Sequence, residues 1–164
     1  MKRSRGGFQL LRREQLLQEV VHDSYKLRRK LREPSRCRDC GAVYRDGRWA
    51  WSSGGGPAHK VRCPACQRIR DGYAAGYVRL GGGYFSEHRD EIVRRVRACE
   101  RAEAREHPLE RIIAVAPAPG GALVTTTGVH LAHRIAQALR HAFKGKLESR
   151  YNKADKVLRA YWSR

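Results

Sequence analysis

CRDCGAVYRDGRWAW (residues 37–51) is followed, beyond a Gly-rich gap, by CPACQRIRDG (residues 63–72). Cys37, Cys40, Cys63 and Cys66 therefore form the pattern C-x2-C-x22-C-x2-C. Each Cys-x-x-Cys pair makes a knuckle that offers two thiolates to one tetrahedral ion, and the chain between them brings the pairs together. The gap slightly exceeds the usual ~15–20 residues. A hairpin and a loop fill it. AVYRDGRWAW reads as the hairpin: Val43 and Tyr44, an Asp46-Gly47 turn, then Trp49 and Trp51 at strand alternation. SSGGGPAH is the loop that leads to the second pair. The spacing predicts a closed zinc ribbon over 37–72 holding one Zn2+ ion, and the metal would supply folding energy to a segment with little core of its own.

Other chemistries fit these cysteines less well. A catalytic zinc keeps one position open for water, and four thiolates leave none. A zinc deaminase needs an upstream H-x-E and a Pro before its second Cys pair; here Pro64 follows Cys63 and no H-x-E occurs. A rubredoxin-like iron centre is the redox competitor, favoured neither by the charge nor by this loop. Cys99, alone on an apolar helix face, reads as a core thiol. AFKGKLES has a Gly-Lys but no upstream Gly for a phosphate loop, and there is no H-E-x-x-H. No catalytic residue and no small-molecule substrate are expected.

Charge is the second strong signal. Lys and Arg number 35 against 16 Asp and Glu, a formal net charge of +19. Residues 1–36 carry 11 basic and 4 acidic groups, residues 37–84 carry 8 and 3, and residues 108–164 carry 10 and 3. Residues 85–107 are balanced at 6 and 6, as in an ordinary solvated helix. Three separate positive regions suit an extended footprint along a polyanion, nucleic acid or an anionic membrane surface, better than one compact pocket. Nothing approaches the ~18 consecutive apolar residues of a membrane span. The opening MKRSRGGFQLLRREQLL lacks the ~7–15-residue apolar run of a signal peptide. With the cysteines in metal-ligand spacing rather than a disulfide framework, the expected location is the cytoplasm.

Around the zinc ribbon the pattern predicts an α+β protein. Residues 1–36 read as a basic N-terminal helix or arm, with Phe8 to Leu31 amphipathic at helical spacing. Residues 73–164 read as a small α+β domain. GYVRL (76–80) is a strand, Ser86 caps a helix to about His107, and RIIAVAPAPGGALVTTT gives two strands around a Pro-Gly-Gly turn. Thr127 can cap a second helix whose Leu131, Ile135, Leu139 and Ala142 face the core, with Gly145 at its end. KLESRY and VLRAYW then form a hairpin across NKAD. The order β-α-β-β-α-β-β contains the split βαβ of ferredoxin-like domains plus one strand.

The candidate RNA contacts follow from this layout. In the arm they are Arg28, Arg29, Lys30 and Arg32 beside Tyr25, which read equally as a solvated helix end or as a segment that orders on RNA. In the ribbon they are Arg45, Arg48, Arg62, Arg68 and Arg70. On the second helix His130, His133, Arg134, Arg140 and Lys144 extend a basic side, and Thr125 to Thr127 precede free N–H groups that favour either an anion or a simple cap. Exposed Trp49 and Trp51 could stack on unpaired bases, but lying on one face of one strand they read better as cover for the knuckles.

The phrases CPACQRIRDGYAAG, EHPLERI and TTTGVHLAHRIAQALRHAFKGKL…YNKADKVLRAYW resemble a bacterial family of short zinc-ribbon proteins. More distantly, these phrases resemble the zinc-binding and following α+β region of the large-subunit export adapter, the nonsense-mediated decay three protein of eukaryotes and archaea, most strongly over residues 109–162. The resemblance implies binding to the large ribosomal subunit, with Cys37, Cys40, Cys63 and Cys66 as the zinc ligands. The adapter carries further Cys pairs and domains with no counterpart here, so nuclear export is not carried over. The expectation is a non-enzymatic, rRNA-binding zinc protein of the ribosome, acting in hibernation or protection under stress, in assembly, or in recycling. The alternative is a zinc-ribbon DNA-binding regulator, although the balanced charge of 85–107 offers it a poor recognition helix; a redox or enzymatic zinc protein comes third.

Overall fold

The computed structural model describes Gln9–Leu10, Tyr25 and residues 30–164. The mixed α+β chain builds two sheets. Within the arm, Gln9–Leu10 (β1) is extended and pairs antiparallel with residues 150–151, not as part of a helix, and Ser35–Arg36 open the first strand of the metal module. The rest of the expected helix over 8–31 lies outside the described residues apart from Tyr25 and residues 30–31.

The smaller sheet begins before the first cysteine. It comprises β2 (Ser35–Cys37), β3 (Val43–Arg45), β4 (Arg48–Ala50) and β5 (His59–Val61) in the order β4-β3-β2-β5, with β5 parallel to β2. Asp46 and Gly47 have φ of 52° and 76°, the two left-handed positions that a tight hairpin turn of matching twist requires. Helix α1 (Pro64–Asp71) completes this module. Cys63 is its N-cap, Pro64 suits a first turn that needs no N–H, and Gly72 ends it at φ 63°.

The larger sheet has the order β1-β9-β10-β6-β8-β7, built from β6 (Gly76–Gly81), β7 (Ile112–Ala118), β8 (Gly121–Thr126), β9 (Lys146–Asn152) and β10 (Val157–Ser163). β8 is antiparallel to both β6 and β7, so β6 and β7 run parallel with β8 between them. The additional strand is not appended at the edge. β10 takes the place beside β6 and parallel to it, and pushes β9 outward. Composition explains the choice. β10 buries Val157, Leu158, Ala160 and Trp162, whereas β9 has only partly buried Leu147 and Tyr151 to offer the core. The more apolar strand gains more from the inner position.

Helices α2 (Gly83–Glu87), α3 (Arg89–Ala104) and α4 (Val129–Phe143) supply the other half of this core. Val78, Leu80, Val124, Leu158 and Trp162 point from the sheet toward Ile92 and Val96 of α3 and Leu131, Ile135 and Leu139 of α4. The Trp162 indole N–H donates to the Lys144 carbonyl at 2.7 Å, so the buried ring keeps its polar end satisfied. Three local expectations are corrected. Ala142 is exposed and Phe143, one step further round, is buried, because the contact surface drifts as the helix passes the sheet. Ser86 lies inside α2 rather than at the head of α3, which starts after His88. Gly128, not Thr127, is the N-cap of α4; the Thr127 hydroxyl instead donates to the Leu109 carbonyl at 2.5 Å and accepts from the Arg111 amide at 2.9 Å.

Candidate metal centre and basic surface

The four cysteines come together from two elements. Cys37 ends β2, Cys40 sits in the following turn, Cys63 caps α1 and Cys66 lies in its first turn. Their Sγ atoms all fall within 4.8 Å of one another, and Cys40 and Cys63 are 3.8 Å apart. A tetrahedron with metal–sulfur bonds of about 2.3 Å has edges of about 3.8 Å. The set can hold one metal ion and is consistent with zinc.

Backbone donors favour the thiolate at Cys37, whereas burial opposes it at Cys63 and Cys66. The Cys63 amide donates to Cys37 Sγ at 3.3 Å and the Cys66 amide to Cys63 Sγ at 3.4 Å. Burial opposes ionisation of Cys37, but backbone donors at Cys63, Cys40 and Asp39 outweigh it and bring that thiol down to about 7. Burial pushes Cys63 upward against the Cys66 backbone donor, and electrostatic repulsion from the neighbouring Cys40 sulfur adds to the rise. Cys66 is pushed up to about 12, mainly by burial. Several thiolates cannot share so small a volume without a cation to neutralise them. Ala42, Ala65, Trp49 and Leu109 pack around the cluster, and Trp49 meets Tyr44 with ring centroids 5.5 Å apart. Trp51 does something else: its ring is 44% exposed, and its indole N–H donates 2.5 Å to the Ala104 carbonyl at the end of α3. One tryptophan covers the knuckles and the other ties the module to the larger domain.

The candidate basic residues separate into groups. Arg28 and Arg29 lie outside the described residues, and Lys30 and Arg32 are exposed ahead of β2. Arg45 and Arg48 are exposed and paired across the hairpin, beside a shallow cleft of about 310 Å³. Arg70 is exposed on α1. Arg62 is half-buried and bonded to Asp39; that hydrogen bond holds the Asp39 carboxyl below its usual range and raises Arg62. Arg68 is not on the surface. It is 5% exposed, donates to the Tyr73 carbonyl at 3.2 Å, and lies 4.4 Å from the Tyr25 ring centroid and 5.6 Å from that of Tyr73. It fastens Tyr25, whose hydroxyl donates to Asp71 at 3.2 Å, onto the metal module. On α4, His130 and His133 are half-buried, Arg134 pairs with Glu103 at 2.8 Å, and only Arg140 and Lys144, near the far end, are exposed without a partner among the described residues.

The anion expected before α4 has an occupant from the chain itself. Glu110 accepts from the Leu131 amide at 2.9 Å, and a Cβ on Gly128 would come within 2.2 Å of its carboxylate. Burial raises the Glu110 carboxyl above its ordinary range. Its place was legible only in the Glu of EHPLERI, which no local pattern connects to a helix about 20 residues on.

Among the described residues no helix is long and apolar enough to cross a membrane. No family model, curated protein or solved structure matches the chain.

Proposed function

We propose that the chain is a non-enzymatic zinc protein that binds ribosomal RNA, on the large subunit or on idle ribosomes, in hibernation and protection, assembly or recycling. The observation that carries this reading is the spread of the +19 charge over the N-terminal segment and two modules joined through Trp51 and Leu109. Exposed Arg45, Arg48 and Arg70 on one module, and Arg140 and Lys144 on the other, suit several phosphates far apart along a folded polyanion. The more distant resemblance, to the large-subunit export adapter and strongest over residues 109–162, selects the ribosome among polyanions. Four thiolate ligands saturate zinc, so the ion acts as scaffold and leaves no position for a substrate.

Sedimentation of cell extracts through sucrose gradients at low and high salt tests this. The protein should travel with large subunits or whole ribosomes at low salt and leave them at high salt. Its absence from every ribosomal fraction at low salt refutes the reading. Replacing Arg28, Arg29 and Lys30 by Glu should weaken the association and flatten its salt dependence.

A further inference from the structure

The helices cover one face of the larger sheet, and no described element covers the other. Strand alternation places Tyr77 and Arg79 of β6 and Arg159 and Tyr161 of β10 on that open face, opposite the buried Val78, Leu80, Leu158 and Trp162. The register pairs Tyr77 with Arg159 and Arg79 with Tyr161, so ring and guanidinium alternate in both directions. The Arg159 guanidinium lies 4.4 Å from the Tyr77 ring centroid, and that of Arg79 lies 5.8 Å from Tyr161 while donating to the Pro119 carbonyl at 2.7 Å. Arg150 stands across from Arg159 on β9. A shallow cleft of about 650 Å³ runs over this surface.

A solvated sheet face is ordinarily built from short polar and mixed-charge residues. This one carries two tyrosines and three arginines against a single acid, Glu148. Tyr161 keeps 42% of its surface in water. An exposed, rigid, aromatic-cationic surface is complementary to a ligand that combines flat faces with negative charge. Unpaired nucleotides have both, whereas in a duplex the base faces are buried in the stack.

We propose that this open face is a binding platform for single-stranded RNA, with bases stacking on Tyr77 and Tyr161 or on the guanidinium planes beside them, and phosphates meeting Arg150 and Arg159. Strand geometry sets the two tyrosines about 8 Å apart, one strand over and two residues along, so they serve two different bases. Glu148, across from Tyr161, repels phosphate at that end and leaves the Arg150 side for the backbone. The inference rests on the reading of the partner as RNA and assigns that RNA a contact site, and a chemical form, that the basic clusters do not.

The test uses zinc-loaded full-length protein, a short fluorescent single-stranded RNA and the same sequence as a duplex, titrated at two salt concentrations. The single strand should bind more tightly. Tyr77→Ala and Tyr161→Ala should each weaken it about tenfold without changing the salt slope, and Tyr161→Phe should retain wild-type affinity. Arg159→Gln should lower the slope by about 0.7. Wild-type protein crosslinked to the same strand carrying 4-thiouridine should yield adducts in β6 or β10, a readout that does not depend on how the variants fold. Equal affinity for strand and duplex with no effect of the tyrosine changes, or adducts confined to the metal module, overturns the platform but leaves RNA binding standing. Tyrosine variants that leave ribosomes yet hold the oligomer normally place a protein on this face, and overturn it as well. Wild-type protein that binds neither RNA nor ribosomes overturns both readings.

Discussion

Arg68 separates a structural from a recognition role in one residue. It reads in the sequence as one of a run of arginines displayed by the metal module, but the structure encloses it between Tyr25 and Tyr73. Replacing it by Met keeps the aliphatic stem and removes the guanidinium. The loss includes a charge-assisted hydrogen bond to the Tyr73 carbonyl, worth about 1.5–3 kcal/mol. It also includes a cation–π contact at 4.4 Å in a desolvated position, worth about 1–2 kcal/mol, and a weaker one at 5.6 Å to a ring that is 48% exposed. The new thioether recovers part of this by packing, so about 3 kcal/mol should be lost. Denaturant unfolding of zinc-loaded protein, followed by tryptophan fluorescence, measures it. Arg68→Lys should recover little, since an ammonium cannot lie flat between two rings and bridge to the carbonyl. The salt slope of RNA binding should stay as in wild type. Arg68→Met with a stability change under 1 kcal/mol and a slope reduced by about 0.7 would refute the argument, because that is the signature of a phosphate contact on a single strand.

Removing the metal should act on one module. The cysteine cluster and the main core share no residue, so Cys63→Ser should take the metal content from one ion to none and expose residues 35–72 to protease while residues 73–164 stay protected; cooperative loss of both would contradict this. Glu110 gives a pH effect of definite sign. Its carboxyl is raised in the folded state, chiefly by burial, so its stabilising contribution is complete below the unfolded value near 4.5 and is lost as pH rises through the folded value. His130 and His107 oppose that shift and Glu103 adds to it. Glu110→Gln can still accept from the Leu131 amide, so its stability relative to wild type should improve as pH rises above the unfolded carboxyl value; a difference in denaturation midpoints that stays flat or reverses would sink the assignment.

Much of this structure is legible locally. The Cys-x-x-Cys pairs, the Asp46-Gly47 turn, the Pro-Gly-Gly turn before β8 and the NKAD turn each carry their own chemistry, and each recurs where the residues place it. At NKAD, for instance, Asn152 accepts from the Ala154 amide at 3.0 Å and donates to Asp155 at 2.7 Å. Helix α1 carries local signals at both ends, Pro64 in its first turn and Gly72 past its last, within a segment whose Cys-x-x-Cys spacing reads first as a metal knuckle. What the sequence hides is long-range. β2 and β5 are three-residue strands made by long-range pairing, β2 lying between β3 and β5. The place of β10 beside β6 depends on a competition between two strands for one position, which no single strand encodes. Arg68 and Glu110 each look like surface charges until the fold closes around them.

The same closure explains why the surface is so positive. Acids are scarce, and about half of those the structure describes are committed to holding the fold. Asp39 is bonded to Arg62, Glu33 to the Asp46 amide, Glu103 to Arg134 and Glu110 to the Leu131 amide. Glu100 accepts from the Ile112 amide at 2.7 Å, and Asp71 receives Tyr25 and Gln67. Each carboxylate bonded to a backbone amide, as at Glu33, Glu100 and Glu110, is removed from the pool that could offset a neighbouring arginine at the surface. The mutual repulsion that results costs stability in the isolated protein. A bound polyanion relieves it at every basic site together, so the binding of phosphate backbone and the stability of the fold are linked. A chain that merely tolerated high charge would have no reason to set arginines between tyrosines on an uncovered sheet; one that meets unpaired RNA has that reason at Tyr77 and Tyr161 and, on the other module, at the paired Arg45 and Arg48.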